Sequence, residues 1–259
     1  MTINFHKYQG TGNDFVLVDD RAGTFPADDR ALVERLCHRR FGIGADGLIL
    51  LRTDADWDFR MVYFNADGAE GSLCGNGGRC LVRFAHDLGL IGSQTRFRAV
   101  DGEHSATVSA GDVSLRMADV GGIETRGGLT FVDTGSPHVV QFVDDLESLD
   151  VVAEGRAIRY GEAFRSGGTN VNYAEVLTDG TLFVRTYERG VEDETYSCGT
   201  GVTAVALAAH QQRGLGSPVV IRTLGGRLRV SFRALPDGSF ADVHLTGPAE
   251  RVFAGVWNP

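Results

Sequence analysis

Two stretches of the chain carry the same pattern of apolar positions behind a cysteine, the first after Cys74 and the second after Cys198. In each stretch the apolar residues recur at the i, i+3, i+4, i+7 spacing of one helix face. These residues are Leu81, Phe84, Ala85 and Leu88 in the first stretch and Val202, Val205, Ala206 and Ala209 in the second. We therefore predict two helices, each with its cysteine just before the first turn. The second helix is apolar nearly all round, which indicates burial inside a sheet or barrel.

Most of the remaining chain has the pattern of β-strands. Short apolar or alternating runs bounded by turn residues are typical of strands. The predicted strands are Asn4–Tyr8, Phe15–Asp19, Leu48–Arg52, Asp58–Phe64, Thr95–Val100, Glu103–Ser109, Asp112–Met117, Leu129–Thr134, His138–Val143, Asn170–Leu177, Thr181–Glu188, Val219–Thr223, Gly226–Arg233, Phe240–Leu245 and Arg251–Trp257. Two further helices are predicted at Asp28–Arg39, where Asp28 can cap the start, and at Leu149–Arg159. Arg189–Ser197 is predicted to be a loop that leads to Cys198.

The two cysteine stretches belong to a longer internal similarity. A shift of 124 positions lays Cys74 on Cys198, Gly75 on Gly199, Gly77 on Gly201, His86 on His210, Phe59 on Phe183 and Tyr63 on Tyr187. A shift of 123 lays Thr11-Gly12-Asn13 on Thr134-Gly135-Ser136. Agreement on nearly one offset indicates an ancient duplication. We therefore expect two similar domains, residues 1–118 joined by the final strand 249–259, and residues 119–248.

Composition and charge exclude several classes of protein. The net charge of −9 argues against nucleic acid or an anionic membrane as a partner. The first ten residues have no apolar signal core and no run reaches membrane-spanning length, so we expect a cytoplasmic protein without structural disulfides. Lys7 is the only lysine, and it lies far in sequence from both cysteines. Since pyridoxal phosphate is held as a lysine Schiff base, we expect any chemistry at an amino-acid α-carbon to proceed without that cofactor.

One glycine-rich segment resembles a dinucleotide-binding motif. Gly42–Gly47 matches GxGxxG letter for letter. That motif needs a strand before it and a helix after it, whereas here a predicted helix precedes and a predicted strand follows. We interpret the segment as a tight turn that exposes its backbone.

The paired cysteines are the strongest candidates for chemistry. A thiol at a helix start feels unpaired N–H groups and the positive end of the dipole, an effect of roughly one pKa unit. The spacing of Cys74 and Cys80 does not suit zinc, and a Cys-x-x-Cys redox motif is absent from the sequence. Two thiols, one charged and one neutral, suit removal of a proton from one face of a carbon and return to the other face. Cys37 and Cys80 are predicted to be core residues.

The same helix starts offer a binding site for a substrate carboxylate. Its oxygens would accept hydrogen bonds from the N–H groups of Gly75 and Asn76 and of Gly199 and Thr200. These amides would also stabilise the enolate-like charge that develops as the proton leaves.

Other polar residues have both a functional and a structural interpretation. His138 begins a predicted strand and Glu188 ends another. Taken alone, His138 is better interpreted as a hydrogen-bonded histidine and Glu188 as a member of a surface ion pair. Asn13, Asn65 and Asn170 stand in loops or at strand ends, where asparagine is also common for conformational reasons.

Taken together, these motifs resemble the diaminopimelate epimerase family. The resembling segments are Gly12-Asn13-Asp14-Phe15, Gly42–Leu48, Phe64–Gly68, Leu73–Arg79, Ser136-Pro137-His138, Thr169–Tyr173, Tyr187–Gly190 and Ser197–Gly201. The resemblance implies an α+β fold of two pseudo-symmetric domains, each a β-barrel wrapped around a central helix. It also implies a homodimer without cofactor or metal that interconverts LL- and meso-2,6-diaminopimelate, in lysine and peptidoglycan precursor biosynthesis.

The resemblance also implies roles for individual residues. Cys74 and Cys198 are the two acid/base thiols, and His138 and Glu188 lie beside them and help set their protonation. The implied substrate contacts are Asn13, Asn65, Asn170, Glu188 and Arg189, with the amides of Gly75, Asn76, Gly199 and Thr200.

Two positions depart from the family pattern, and two other functions stay open. Ser136 stands where many members have asparagine, and Gly47 where some have glutamine. One alternative is a proline or hydroxyproline racemase on the same architecture. The other is a non-enzymatic thiol switch or binding protein, which would exchange no proton in any amino acid.

Overall fold

The computed structural model describes residues 2–71 and 74–258. Leu73, where one of the resembling segments begins, lies outside the described residues, as do the outermost residues of the expected domains, Met1 and Pro259.

The structure contains long stretches of strand and few helices. The helices are α1 (Arg30–Cys37), α2 (Gly75–Asp87), α3 (Val151–Arg159) and α4 (Gly199–Arg213), with a 3₁₀ turn at Glu162–Phe164. The strands are β1 (Ile3–Gly10), β2 (Asn13–Asp19), β3 (Gly47–Arg52), β4 (Phe59–Asn65), β5 (Gln94–Ala99), β6 (Gly102–Val108), β7 (Asp112–Arg116), β8 (Glu124–Arg126), β9 (Leu129–Asp133), β10 (Pro137–Phe142), β11 (Asn170–Val176), β12 (Leu182–Glu188), β13 (Asp193–Thr195), β14 (Val219–Thr223), β15 (Gly226–Ala234), β16 (Phe240–Pro248) and β17 (Glu250–Trp257). No helix among the described residues is both long enough and apolar enough to cross a bilayer.

The chain divides into two compact units. The first comprises residues 1–115 and 247–259, and the second comprises residues 116–246.

In the first unit, eight strands form one sheet that packs against α2. They pair in the order β17, β1, β2, β3, β4, β5, β6, β7, and the pairs β2–β3 and β4–β5 are parallel. Parallel neighbours need a crossover, which α1 and α2 provide. Helix α2 packs against β1, β2, β3, β6 and β17, and its residues from Gly75 to Ala85 are all buried. The helix behind Cys74 is therefore the centre of this unit.

The second unit repeats this plan around α4. Its main order is β8, β9, β10, β11, β12, β14, β15, β16, with β10–β11 and β12–β14 parallel and connected through α3 and α4. Helix α4 packs against β9, β10, β11, β12, β14 and β15 and is buried almost throughout, as its apolar sequence predicts. The aligned turn glycines also match, because Gly12 has a φ of 86° and Gly135 a φ of 92°. Two units with one topology are the result that a duplication predicts.

Three observed elements differ from the predicted ones, namely the start of α1 and the strands β8 and β13, which were not predicted. Helix α1 is capped by Asp29, whose side chain accepts the Leu32 N–H, and not by Asp28. Either of the two adjacent aspartates can accept a first-turn N–H group. Packing of the apolar face of α1 determines that the helix starts after the second one. The predicted loop before Cys198 contains β13, which pairs with β12. The final strand, whose partner the sequence did not indicate, is antiparallel to β1.

Candidate active site

The first candidate thiol is held at the start of the central helix of its unit. Cys74 is the N-cap residue of α2, with extended backbone (φ −87°, ψ 123°), and is half-buried. Its carbonyl oxygen accepts the Gly78 N–H at 2.7 Å, so the first turn begins directly behind the sulfur. This is the position that the sequence predicts for it.

Three of the predicted site residues meet at this thiol. Asn13 Oδ1 accepts from Cys74 Sγ at 3.6 Å and from Asn76 Nδ2 at 3.4 Å. Asn13 Nδ2 donates to Asp46, which also accepts the Asp14 N–H at 3.1 Å. Because a carboxylate only accepts, Asp46 fixes the Asn13 amide with its oxygen toward the sulfur. Sequence reasoning missed Asp46, which lay within the glycine-rich turn.

Asp46 belongs to a charged cluster that also holds the only lysine. Arg39 Nη2 lies 2.7 Å from Asp14 and 2.7 Å from Asp46. Lys7 Nζ lies 2.6 Å from Asp14 and donates to the Gly44 carbonyl. Burial opposes ionisation of Asp14, but hydrogen bonds from Arg39 and Lys7 outweigh it and lower the pKa of Asp14 to about 2. The lysine is thus committed to structural ion pairs.

The glycine-rich segment between α1 and β3 is a tight turn, but its backbone is not exposed as the sequence predicts, because its N–H groups are hydrogen-bonded within the protein. The N–H groups of Ile43 and Gly44 donate to Leu36 O, at 2.9 and 3.1 Å. These amides point back to the end of α1 and not outward to a phosphate. At Gly47 an added Cβ would lie 2.6 Å from Phe64 O, so the close approach of β4 leaves no room for a side chain.

Asn65, the remaining predicted site residue of this unit, ends β4 with an exposed side chain. Its backbone closes a turn, donating to Ala69 O and accepting from the Gly68 N–H, both at 2.9 Å. Contact of this side chain with a substrate stays a prediction.

The second candidate thiol occupies the equivalent place in the second unit. Cys198 is the N-cap residue of α4 and is buried. Its sulfur lies 3.5 Å from Thr200 Oγ1, and the Thr200 carbonyl accepts from Thr134 Oγ1 at 3.0 Å. The hydroxyl of Thr200 can donate to this sulfur, whereas the amide oxygen that faces Cys74 only accepts.

His138 is fully buried on β10 and has one of its two ring nitrogens occupied. Asn172 Nδ2 lies 3.1 Å from His138 Nδ1. An amide N–H can only donate, so Nδ1 accepts and the proton of the neutral ring is on Nε2. Nε2 has no hydrogen-bond partner among the described residues. Desolvation and the charge of Arg189 lower the pKa of His138 to about 3, so the ring is a neutral donor at physiological pH.

Asn172 is a site residue that sequence reasoning missed. Its Nδ2 also donates to Val139 O at 2.9 Å, and its Oδ1 accepts from Thr186 Oγ1 at 2.9 Å. An added Cβ at Gly201, in the first turn of α4, would lie 2.3 Å from Asn172 Oδ1. The amide therefore joins β10, β12 and the helix that carries Cys198. Asn172 could have been identified from the sequence as a polar residue within the apolar run of β11, because a buried polar side chain needs a hydrogen-bond partner.

The buried histidine predicts a specific dependence of stability on pH. Because its folded pKa is depressed below the ordinary value of 6.5, the unfolded chain binds the extra proton between those values. Stability is complete above pH 6.5 and is lost as pH falls. By linkage, the depressed pKa of His138 makes the free energy of unfolding about 2 kcal/mol smaller at pH 5 than at pH 8. We expect the difference in unfolding free energy between pH 8 and pH 5 to be about 2 kcal/mol smaller in His138→Gln than in the unaltered protein. Urea unfolding at both pH values measures this difference.

His86→Gln, at the exposed end of α2, is the matched control for this experiment. An unchanged pH dependence in His138→Gln would contradict a buried neutral ring.

The remaining predicted residues form a network at the ends of β11 and β12. Asn170 Nδ2 donates to Ser136 Oγ and to Pro137 O, both at 3.0 Å, and its Oδ1 accepts the Arg189 N–H at 2.9 Å. Arg189 Nη1 donates to Gly167 O at 2.9 Å. Ser136, where the sequence departs from the family pattern, therefore binds Asn170.

Glu188 accepts from Thr195 Oγ1 at 2.9 Å, which ties the end of β12 to β13. Its role beside a thiol, and the substrate contacts of its neighbours, stay predictions. The described residues contain no cluster of three His, Cys, Asp or Glu side chains arranged to hold a metal ion.

One protein family matches nearly the whole chain. The family model described as diaminopimelate epimerase matches residues 5–128 and again residues 130–252. A diaminopimelate epimerase of Flavobacterium psychrophilum is 48% identical over 253 residues, 97% of this chain and 98% of the relative. One of Chlorobaculum tepidum is 44% identical over 258 residues, 95% of this chain and 98% of the relative.

Solved structures share the fold at low sequence identity. A Bacillus anthracis phenazine biosynthesis protein of the PhzF family has a TM-score of 0.81, at 14% identity and full coverage of both chains. A hydroxyproline epimerase of Agrobacterium vitis has a TM-score of 0.68, at 16% identity over 98% of this chain and 92% of the other. The predicted fold class, mixed helix and strand in two pseudo-symmetric halves, is confirmed. The family model spans nearly the whole sequence, and the relatives align with this chain almost end to end. The chain belongs to the diaminopimelate epimerase family.

Proposed function

We propose that the chain interconverts LL- and meso-2,6-diaminopimelate by a two-thiol mechanism that needs no cofactor. The observation that carries the proposal is the paired placement of Cys74 and Cys198 as N-cap residues of two buried helices, in a chain that matches one epimerase family throughout. One sulfur, as thiolate, takes the proton from the substrate α-carbon. The other, as thiol, delivers its proton to the opposite face. The two sulfurs thereby exchange protonation states, and the configuration at carbon inverts.

The helix starts supply the stabilisation that this chemistry needs. The N–H groups in a first turn have no partner within the helix and point along the positive end of the dipole. In our proposal, those of Gly75 and Asn76 and of Gly199 and Thr200 bind the α-carboxylate of the substrate. They stabilise its enolate-like form when the proton is removed, because the charge then spreads onto the carboxylate oxygens.

The surrounding polar groups orient substrate and thiols. His138 contributes the Nε2–H as a neutral donor, since its ring does not titrate near neutrality. We assign Glu188 to the same task. Asn13, Asn65, Asn170, Glu188 and Arg189 bind the substrate. A substrate with a second amino-carboxylate head matches this polar set better than proline does.

The test is incubation with LL-diaminopimelate in heavy water under reducing conditions, with proline and hydroxyproline as parallel substrates. We expect deuterium at the α-position of diaminopimelate and formation of the meso isomer, with no exchange in the cyclic amino acids. Exchange only in proline or hydroxyproline would favour the racemase alternative. No exchange in any substrate would overturn the proposal and favour a thiol switch.

We also propose that the enzyme is a cytoplasmic homodimer. The cytoplasm keeps the two required thiols reduced. Strand β17 exposes three apolar side chains, those of Val252, Phe253 and Val256, which supports a contact with a second copy there.

Introducing charge on β17 tests the dimer. By light scattering, the unaltered protein should have twice the chain mass of 27.8 kDa, and a Val252→Asp, Val256→Asp double variant should have the chain mass itself. Val176→Asp, at an exposed position in the second unit, is the control. A monomer in the unaltered protein would contradict this assembly.

A further inference from the structure

Arg79, one turn into α2, is a buried cation with only neutral hydrogen-bond partners. Its side chain is completely buried. Its guanidinium donates to Asn76 Oδ1 at 3.0 Å, to Thr11 Oγ1 at 3.2 Å and to Gly75 O at 3.4 Å. Nε has no hydrogen-bond partner, and no ion pair with a carboxylate is found for Arg79 among the described residues.

A buried cation without an anion is costly, and arginine does not escape the cost by losing its proton. Burial lowers the pKa of Arg79, and the opposing influences come from Cys80, Cys74 and Asp112. Cys80 stays neutral, because burial raises its pKa to about 12. The influence of Asp112 on Arg79 is smaller than that of Cys74. Cys74 is the remaining group that can become an anion.

The position of the guanidinium places its charge at the start of the helix. Side chains in a helix lean toward its N-terminus, and Arg79 accordingly contacts Gly75 and Asn76, the two residues directly behind Cys74. The full charge of the guanidinium therefore adds to the positive end of the helix dipole at the same thiol. In a buried, poorly screened setting this attraction exceeds its value in water.

The second unit provides an internal comparison. The shift of 124 that lays Cys74 on Cys198 also lays Arg79 on Thr203. Thr203 is buried as well, and its Oγ1 donates to Gly199 O at 2.9 Å, the counterpart of the Gly75 carbonyl. The two helix starts thus keep the same contact but differ by one positive charge.

We propose that Arg79 stabilises the thiolate of Cys74, so that Cys74 is the charged sulfur and Cys198 the protonated one in the resting enzyme. Arg79 is too buried to touch substrate. It acts indirectly, because its charge stabilises the charged form of Cys74. The importance of this thiolate for catalysis rests on the proposed two-thiol function. Two contacts oppose the proposal, because Asn13 Oδ1 accepts a hydrogen bond from the Cys74 thiol and the Thr200 hydroxyl can donate to the Cys198 sulfur. These sulfur contacts, at 3.6 and 3.5 Å, are weak beside a full buried charge.

The experiment measures the two thiols separately and without substrate, so its outcome is independent of epimerase activity. The rate of iodoacetamide alkylation is followed against pH, by peptide mass spectrometry, for Cys74 in Cys198→Ser and for Cys198 in Cys74→Ser. We expect Cys74 to titrate at least about one pH unit below Cys198. In the Cys198→Ser background, Arg79→Thr should raise the pKa of Cys74 by about one unit, whereas Arg79→Lys should retain most of the effect.

Arg83→Thr is the matched control, because Arg83 lies one turn further along α2 and donates to Ser109 O and Asp112 O. It should leave the pKa of Cys74 unchanged. An equal or lower pKa for Cys198 would overturn the proposal, and this comparison needs no Arg79 variant to fold. A folded Arg79→Thr protein in which the pKa of Cys74 is unchanged would also overturn the proposal.

Discussion

Replacing either Cys74 or Cys198 by serine is expected to lower kcat for epimerisation by about 10³-fold, within the range of 10²–10⁴ that general acid–base groups contribute. A serine hydroxyl keeps nearly the same shape, but it neither ionises near neutral pH nor gives up its proton readily. Inversion needs both groups, because one removes the proton on one face and the other returns it on the opposite face. Loss of either should therefore cost about as much as loss of both. Formation of the meso isomer from the LL isomer measures the rate.

Cys37→Ala is the control for a general cysteine effect. Cys37 is buried in the core of the first unit, and burial raises its pKa to about 12. Its loss should affect stability and leave kcat within about twofold, since it touches neither helix start. A Cys74→Ser or Cys198→Ser protein that folds and keeps more than a tenth of the activity would remove that sulfur from the mechanism.

Gly42→Ala should produce the largest loss of stability from a single methyl group. An added Cβ would lie 1.8 Å from the carbonyl oxygen of Arg35 and 2.8 Å from that of Leu36, both backbone atoms of α1. Neither atom can rotate away, so the end of α1 or the turn has to move. Overpacking typically costs about 1–3 kcal/mol, and backbone clashes at this distance place the expected loss at about 3 kcal/mol or more.

Urea unfolding followed by circular dichroism measures this change. Gly111→Ala is the matched control, because a Cβ there meets no atom within 4 Å. It should alter the free energy of unfolding by less than about 0.5 kcal/mol. If Gly42→Ala were equally mild, the turn would not be sterically closed, and the structural interpretation of the glycine-rich segment would lose its main support.

Local patterns predicted the elements well where they were long or strongly periodic. The helices behind Cys74 and Cys198 were predicted from the spacing of their apolar residues. Strands β8 and β13 were missed because Glu124–Arg126 and Asp193–Thr195 are short and polar, so no alternation marks them. The N-cap of α1 was predicted one residue too early, since both neighbouring aspartates can cap a helix.

The sequence by itself determined the duplication, the paired cysteines at two helix starts and the family to which the chain belongs. Those features are carried by spacing along the chain, which is visible without coordinates. Only the tertiary structure decided which groups meet at the candidate site: Asp46 holds Asn13, Asn172 holds His138, and Arg79 lies buried against Asn76, with no ion pair to a carboxylate among the described residues. The physical reason is that hydrogen bonds and burial join residues far apart in sequence. Asp46 and Asn13 are separated by 33 positions, as Asn172 and His138 are by 34.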